Sequence, residues 1–167
     1  MIEAFFFSGV AIGPTKPALV LLCCIGTWLA ISSSSFGAPI SKTHLKNTIE
    51  FLKLESKELY ENYRRDQASG ISVDASLQLP CFSLGREALT NISIIKAHLE
   101  KVKVLSDNIV DTTKVTRWLE NISCVNPLNL KISGPGDKPY AQKKFVLTVL
   151  KRFSDCMAGL QAKDSIC

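Results

Sequence analysis

The chain has 167 residues, 46% of them hydrophobic, a formal charge of +5 and a pI near 8.9. That length supports one domain with a real core and leaves little room for a second. Its positive residues are scattered among Asp and Glu, which suits an acidic protein partner or a glycosaminoglycan and argues against nucleic acid, which calls for a denser basic patch with interleaved aromatics.

The first part of the chain differs in kind from the rest. Residues 17–31 read Pro-Ala-Leu-Val-Leu-Leu-Cys-Cys-Ile-Gly-Thr-Trp-Leu-Ala-Ile, after Lys16 and before Ser32, Ser33, Ser34 and Ser35. An apolar run of that length, followed by small residues, predicts a secretory signal peptide over residues 1–37, cleaved after Ala30 or Gly37. A membrane anchor is the competing reading. Pro14, Lys16 and Pro17 break the run, however, and the unbroken part falls short of the roughly 20 residues a spanning helix needs. Residues 38–167 are then a secreted domain with no membrane insertion after the leader is removed. Lys16 and Glu3 leave together, so the net charge is unchanged. Cys23 and Cys24 also leave, and Cys81, Cys124, Cys156 and Cys167 remain. Two bridges are expected in an oxidising compartment, and the spacing alone does not choose among the three pairings. No Cys-x-x-Cys or His-containing cluster points to zinc, so no metal or cofactor is expected.

Four amphipathic helices follow. The first, over about residues 41–65, carries Leu45, Ile49, Leu52, Leu59 and Tyr63 at helical spacing, with Ser56 at the missing step and Ser41 as a cap. Residues 66–85 have no sustained period and contain Gly70, Pro80 and Gly85; they form a loop long enough to run back along the whole helix. The second helix, 86–105, has the seam Leu89, Ile92, Ile95, Leu99 and Val102. After a hinge at Ser106 and Asp107 the third, 108–122, is the least secure, because Asp111, Thr112, Thr113 and Lys114 interrupt its apolar residues. Residues 124–139 hold Asn126-Pro127 and Gly134-Pro135-Gly136 and form a second long loop. The fourth helix, 140–162, has the broadest face: Val146, Leu150, Phe153, Met157 and Leu160, widened by Phe145, Val149 and Cys156. Its early pair Lys143 and Lys144 opposes the helix dipole.

Connections that run long, short, long predict an all-α four-helix bundle of up-up-down-down topology with two long crossover loops, the arrangement of growth hormone and the helical cytokines. Asn91-Ile92-Ser93 and Asn121-Ile122-Ser123 are N-glycosylation triplets available to a secreted chain. Only His44 and His98 are present as histidines, on different helices and beside no nucleophile motif, so an enzyme is not expected. A receptor-binding signalling protein fits best. The alternative is a secreted helical carrier whose apolar faces line a lipid or a small apolar ligand.

Several stretches sharpen this. They are Leu-Leu-Cys-Cys-Ile-Gly-Thr-Trp-Leu-Ala at 21–30, Gly-Ala-Pro-Ile-Ser-Lys at 37–42, Gln-Leu-Pro-Cys-Phe-Ser-Leu at 78–84, His-Leu-Glu-Lys-Val-Lys-Val-Leu-Ser at 98–106 and Phe-Val-Leu-Thr-Val-Leu-Lys at 145–151. Through them the chain resembles the interleukin-31 family in its rodent form, within the interleukin-6 group of four-helix cytokines. The resemblance implies a secreted monomer that bridges interleukin-31 receptor subunit alpha and oncostatin M receptor subunit beta, with outcomes in JAK/STAT signalling, skin inflammation and itch. It implies that Cys81 pairs with Cys156, leaving Cys124 and Cys167 for each other. Gln142 stands where the family carries a further cysteine. The resemblance also points to Lys143, with Lys144 beside it, as the contact for the beta subunit. The alpha subunit is expected on a face of the first and third helices, where charge and exposure single out Glu50, Arg117 and Glu120.

Overall fold

The computed structural model describes residues 42–83, 88–122, 128 and 130–161. The leader, Ser41, Cys124, Ala162 and Cys167 lie outside the described residues. Those described form four helices and no strand.

Helix α1 (Lys42–Asp66) follows its apolar period closely. Leu45, Ile49, Leu52 and Tyr63 are buried along one face, and Ser56 is buried with them. The Ser56 hydroxyl donates to the Lys53 carbonyl at 3.1 Å, so the core carries this polar side chain without an unmade bond. Arg64 and Arg65 in the last turn complement the negative end of the helix dipole. The chain then turns: the N–H groups of Gln67 and Ala68 both donate to the Tyr63 carbonyl. Gly70, at φ 78°, takes a left-handed step that a side chain would strain.

Helix α2 (Ala88–Leu105) buries Ile92, Ile95, Leu99 and Val102. Helix α3 (Thr113–Asn121) starts five residues later than the sequence suggests, and the reason is local. Asp107 and Asn108 have φ values of 52° and 62°, in the left-handed region that ends a helix and cannot begin one. Their N–H groups close on the carbonyls of Val104 and Lys103. The hydroxyl of Ser106 then accepts the Val110 N–H at 3.2 Å, and the buried Thr112 hydroxyl donates to the Leu99 carbonyl at 3.1 Å. The polar residues that interrupt the period therefore stitch a turn to α2, and α3 keeps only nine residues.

Helix α4 (Pro139–Gly159) begins with Pro139 at its first position, where a missing N–H costs nothing. Residues 145–150 are buried without exception. The broad face read from the sequence is in fact a helix covered all round for nearly two turns. Three neighbours do the covering. α4 packs on α1 and on α2, while α3 packs on the same two helices. The segment after α1 covers the remaining side of α4. The Asp74 N–H donates to the Thr148 hydroxyl at 2.7 Å. Ile71 and Leu77 lie on the cluster of Tyr63, Val102, Val146 and Leu150. Further along, Leu79 and Phe82 join Leu52, Ile95, Leu119, Phe153 and Met157. Cys81 is bonded to Cys156, with Cα atoms 5.3 Å apart. The segment before α4 is held at Leu128, whose N–H donates to the buried Ser93 hydroxyl at 2.9 Å.

Candidate functional site

Two surfaces combine exposed large side chains with the residues expected to bind. The first lies over α1 and α3. Phe51 and Leu54 stand on α1 away from its buried face, 48% and 61% exposed. Phe51 meets Trp118 of α3 with ring centroids 4.7 Å apart. One turn further along α1 and one turn back along α3, Lys114 reaches Glu55 at 3.6 Å. Phe51 is thus an exposed ring set against Trp118, which is partly buried and packs on the core. With a cross-helix ion pair beside them, Phe51 and Leu54 leave apolar surface in solvent that a partner could cover.

The charged residues expected on this face are present but differently engaged. Glu50 is exposed and accepts from Lys53, three residues on, at 3.1 Å. Glu120 forms an ion pair with Lys96 of α2, so it braces α3 against α2. Arg117 is exposed and makes no ion pair or hydrogen bond among the described residues. Sequence reasoning passed over Phe51 and Leu54. Their signal was available: each is a large apolar residue at a non-seam position of a strongly periodic helix.

The second surface is the start of α4. Lys143 is exposed, with no ion pair or hydrogen bond among the described residues. It falls in the second turn rather than the first, so the dipole opposes it only weakly. Lys144 does not share that exposure. It is partly buried, and its ammonium lies 3.5 Å from the Asp74 carboxylate of the segment packed on α4. Hydrogen bonds from the Ser76 hydroxyl and backbone, with Lys144 adding to them, hold the Asp74 carboxyl below the usual carboxylate range. Beside them Tyr140 is 60% exposed. Together with Asp74, Leu77, Gly134, Pro135 and Lys144 it lines an open hollow of about 540 Å³.

The remaining expectations divide by location. Cys81 and Cys156 are joined as the resemblance implied, and the Cys124–Cys167 pairing lies outside the described residues. Asn121 is exposed at the end of α3, whereas Asn91 is half-buried and donates from Nδ2 to the Cys81 carbonyl at 2.9 Å. His98 is half-buried, with Nδ1 2.8 Å from the Ile94 carbonyl and its ring stacked 6.2 Å from that of Phe145. His44 is exposed one turn from Thr48, with Nδ1 3.2 Å from its hydroxyl. Among the described residues no three His, Cys, Asp or Glu side chains gather as metal ligands, and no helix is long and apolar enough to cross a membrane.

Comparison with known proteins gives the family. A profile of the family described as Interleukin 31 matches residues 35–163. Interleukin-31 of Mus musculus is 71% identical over 155 residues, which cover 92% of this chain and 95% of the mouse protein. Interleukin-31 of Homo sapiens is 29% identical over 147 residues, 87% of each chain. No solved structure matches. An all-helical domain with a family profile across most of its length and a close, nearly full-length relative makes the chain a member of the interleukin-31 family of cytokines.

Proposed function

We propose that the chain is a secreted cytokine of up-up-down-down topology that draws together interleukin-31 receptor subunit alpha and oncostatin M receptor subunit beta and so starts JAK/STAT signalling in immune and itch responses. Several contacts support the topology. Cys81, just ahead of α2, meets Cys156 near the end of α4, and His98 near the end of α2 stacks on Phe145 near the start of α4, so those two helices run oppositely. Lys151 lies over the Tyr60 ring, 5.6 Å from its centroid, while Leu45 and Ile49 share a cluster with Met157 and Leu160; α1 therefore opposes α4 as well. The pairs Phe51 with Trp118 and Glu55 with Lys114 set α3 against α1. The two long segments are then the crossover loops that two parallel pairs require.

The observation that carries the receptor reading is exposed Phe51, set on the partly buried Trp118 with exposed Leu54 beside it. Aromatic residues at the centre of a patch rimmed by charge are the usual energetic anchors of a protein interface. That face is assigned to the alpha subunit, with Glu50, Arg117 and Glu120 as the charged residues expected to meet it. Lys143 is assigned to the beta subunit. The leader over residues 1–37 directs secretion, and the mature chain acts as a monomer without a cofactor. The carrier alternative is less favoured, because the apolar faces it needs are spent on packing: Leu52, Leu150, Phe153 and Met157 are each below 2% exposed.

The test is reporter signalling in cells carrying both receptor subunits, against cells lacking either one. Signalling that persists without one of them rules out the bridging mechanism.

A further inference from the structure

The two Asn-x-Ser triplets look equivalent in sequence, but the fold uses them differently. Asn91, Ile92 and Ser93 lie in the first turns of α2. The Asn91 Nδ2 donates to the Cys81 carbonyl at 2.9 Å. Ser93 is 1% exposed, while the middle residues of the two triplets, Ile92 and Ile122, are alike at 0%. The Ser93 hydroxyl donates to the Leu89 carbonyl at 2.8 Å and accepts the Leu128 N–H at 2.9 Å. One triplet thus holds both long segments: Asn91 takes the end of the first, next to the disulfide, and Ser93 takes the second. Asn121 has no such duty. It is the last residue of α3, it is exposed, and its side chain makes no hydrogen bond or ion pair among the described residues.

We infer that Asn121 is the N-glycan acceptor of the secreted protein, and that the Asn91 triplet is a structural clamp that stays unmodified. The inference rests on the secreted reading above, because the transfer takes place in the secretory lumen. There the carboxamide nitrogen of Asn121 attacks C1 of an oligosaccharide carried on a lipid pyrophosphate. The new N–C1 bond forms as the C1–O bond to the pyrophosphate breaks. The leaving pyrophosphate takes the electron pair, and the nitrogen gives up one proton to a base of the transferase. The exposed end of α3 can present the resulting glycan to water at no cost in packing. At Asn91 the same substituent would have to leave from a nitrogen that donates to the Cys81 carbonyl, beside a serine sealed under the second segment. A chain modified there would keep one N–H on that nitrogen and would have to seat the glycan beside the contact that sets the first segment against α2.

The experiment is secretion of the full chain from mammalian cells, followed by peptide mapping after enzymatic deglycosylation, which converts each occupied Asn to Asp. The expected result is conversion at Asn121 and none at Asn91 in the secreted fraction. Asn121→Gln removes the whole glycan mass shift. Asn91→Gln keeps that shift and lowers the unfolding midpoint. If Asn91→Gln is not secreted, Ser93→Ala destroys the same triplet without touching Asn91, and it too must keep the full shift. Conversion at Asn91 in secreted protein, or an unmodified Asn121, overturns the inference and leaves secretion standing. A chain that never reaches the medium and carries no glycan overturns both readings together.

Discussion

The backbone N–H of Asp74 donates to the hydroxyl of Thr148 at 2.7 Å, and that hydroxyl donates in turn to the Lys144 carbonyl at 2.7 Å. A buried threonine in the middle of the most enclosed helix is thereby the point at which the first long segment is fixed. Thr148→Val should remove the acceptor and leave the Asp74 N–H without a partner, at a cost of about 1–3 kcal/mol. Thr148→Ser keeps the hydroxyl and should lose less. Urea denaturation of the three proteins measures this. A larger loss in Thr148→Ser than in Thr148→Val would mean that the methyl group, not the hydrogen bond, holds the segment.

The Asp74 carboxyl titrates below its ordinary value, chiefly through the bonds from Ser76 and then through Lys144. A carboxylate depressed in the folded state adds stability above the unfolded value, near pH 4, and that stability is lost as pH falls through the folded value. Asp66, beside Arg65, and Asp111, bonded by Thr113, are depressed in the same direction, so the wild type loses stability from several sites at once. Asp74→Asn removes one of them. The difference in unfolding free energy between wild type and Asp74→Asn should be largest near neutrality and shrink between about pH 5 and pH 2. A difference that stays constant across that range would show that the Asp74 charge has no part in docking the segment.

The Cys81–Cys156 bridge spans 75 residues of sequence. In the chain-entropy account a loop of that size is worth about 4 kcal/mol at room temperature. Cys81→Ser is the cleaner variant, because Cys81 is exposed and Cys156 is buried. It should lower the unfolding free energy by about 2–5 kcal/mol. Hydrogen exchange should rise first in residues 74–83 and spare the centre of α4. Protection lost evenly along the chain would contradict the idea that the bridge acts through this segment.

What could be read from the sequence, and what could not, follows from the range of the interactions involved. The seams of α1, α2 and α4 are local periodic patterns, and each predicted seam residue from Leu45 to Leu52 and from Val146 to Leu160 is buried. The late start of α3 was hidden because Asp107 and Asn108 reach the left-handed region only through bonds back to α2. Thr148 looked like a neutral helix residue, since its partner lies 74 positions away. The candidate surface shows the same division. The exposure of Lys143 and Arg117 could be read from helical phase. The capture of Lys144 by Asp74 and of Glu120 by Lys96 could not, because both depend on which elements become neighbours.

Phe51 and Leu54 contribute little to the core, so their removal separates binding from stability. Phe51→Ala loses the exposed side of an aromatic pair, a contact worth roughly 0.5–1.5 kcal/mol. As an interface anchor it should cost at least about 2 kcal/mol of binding, some thirtyfold in affinity. Surface plasmon resonance against the alpha-subunit ectodomain is the measurement, and Leu54→Ala should weaken binding in the same direction. Unchanged affinity in the double variant would move the alpha-subunit contact off the α1–α3 face.

Lys143 and Lys144 are adjacent and chemically identical, yet the fold gives them different work, and that makes them an internal control. Lys144 is 32% exposed at its side chain and reaches Asp74. Lys143 points into solvent with no partner among the described residues. Lys144→Ala should therefore produce a small fall in unfolding midpoint that is not seen when Asp74 is already Asn, because the two changes remove one interaction. Lys143→Ala should leave the midpoint unchanged and reduce recruitment of the beta subunit to a preformed complex with the alpha subunit. An exposed lysine meeting an acidic receptor surface acts strongly on the association rate, so the loss should shrink as salt is raised. If Lys143→Ala recruits the beta subunit as the parent does at low salt, the receptor contact lies elsewhere on α4 or in the hollow beside Tyr140.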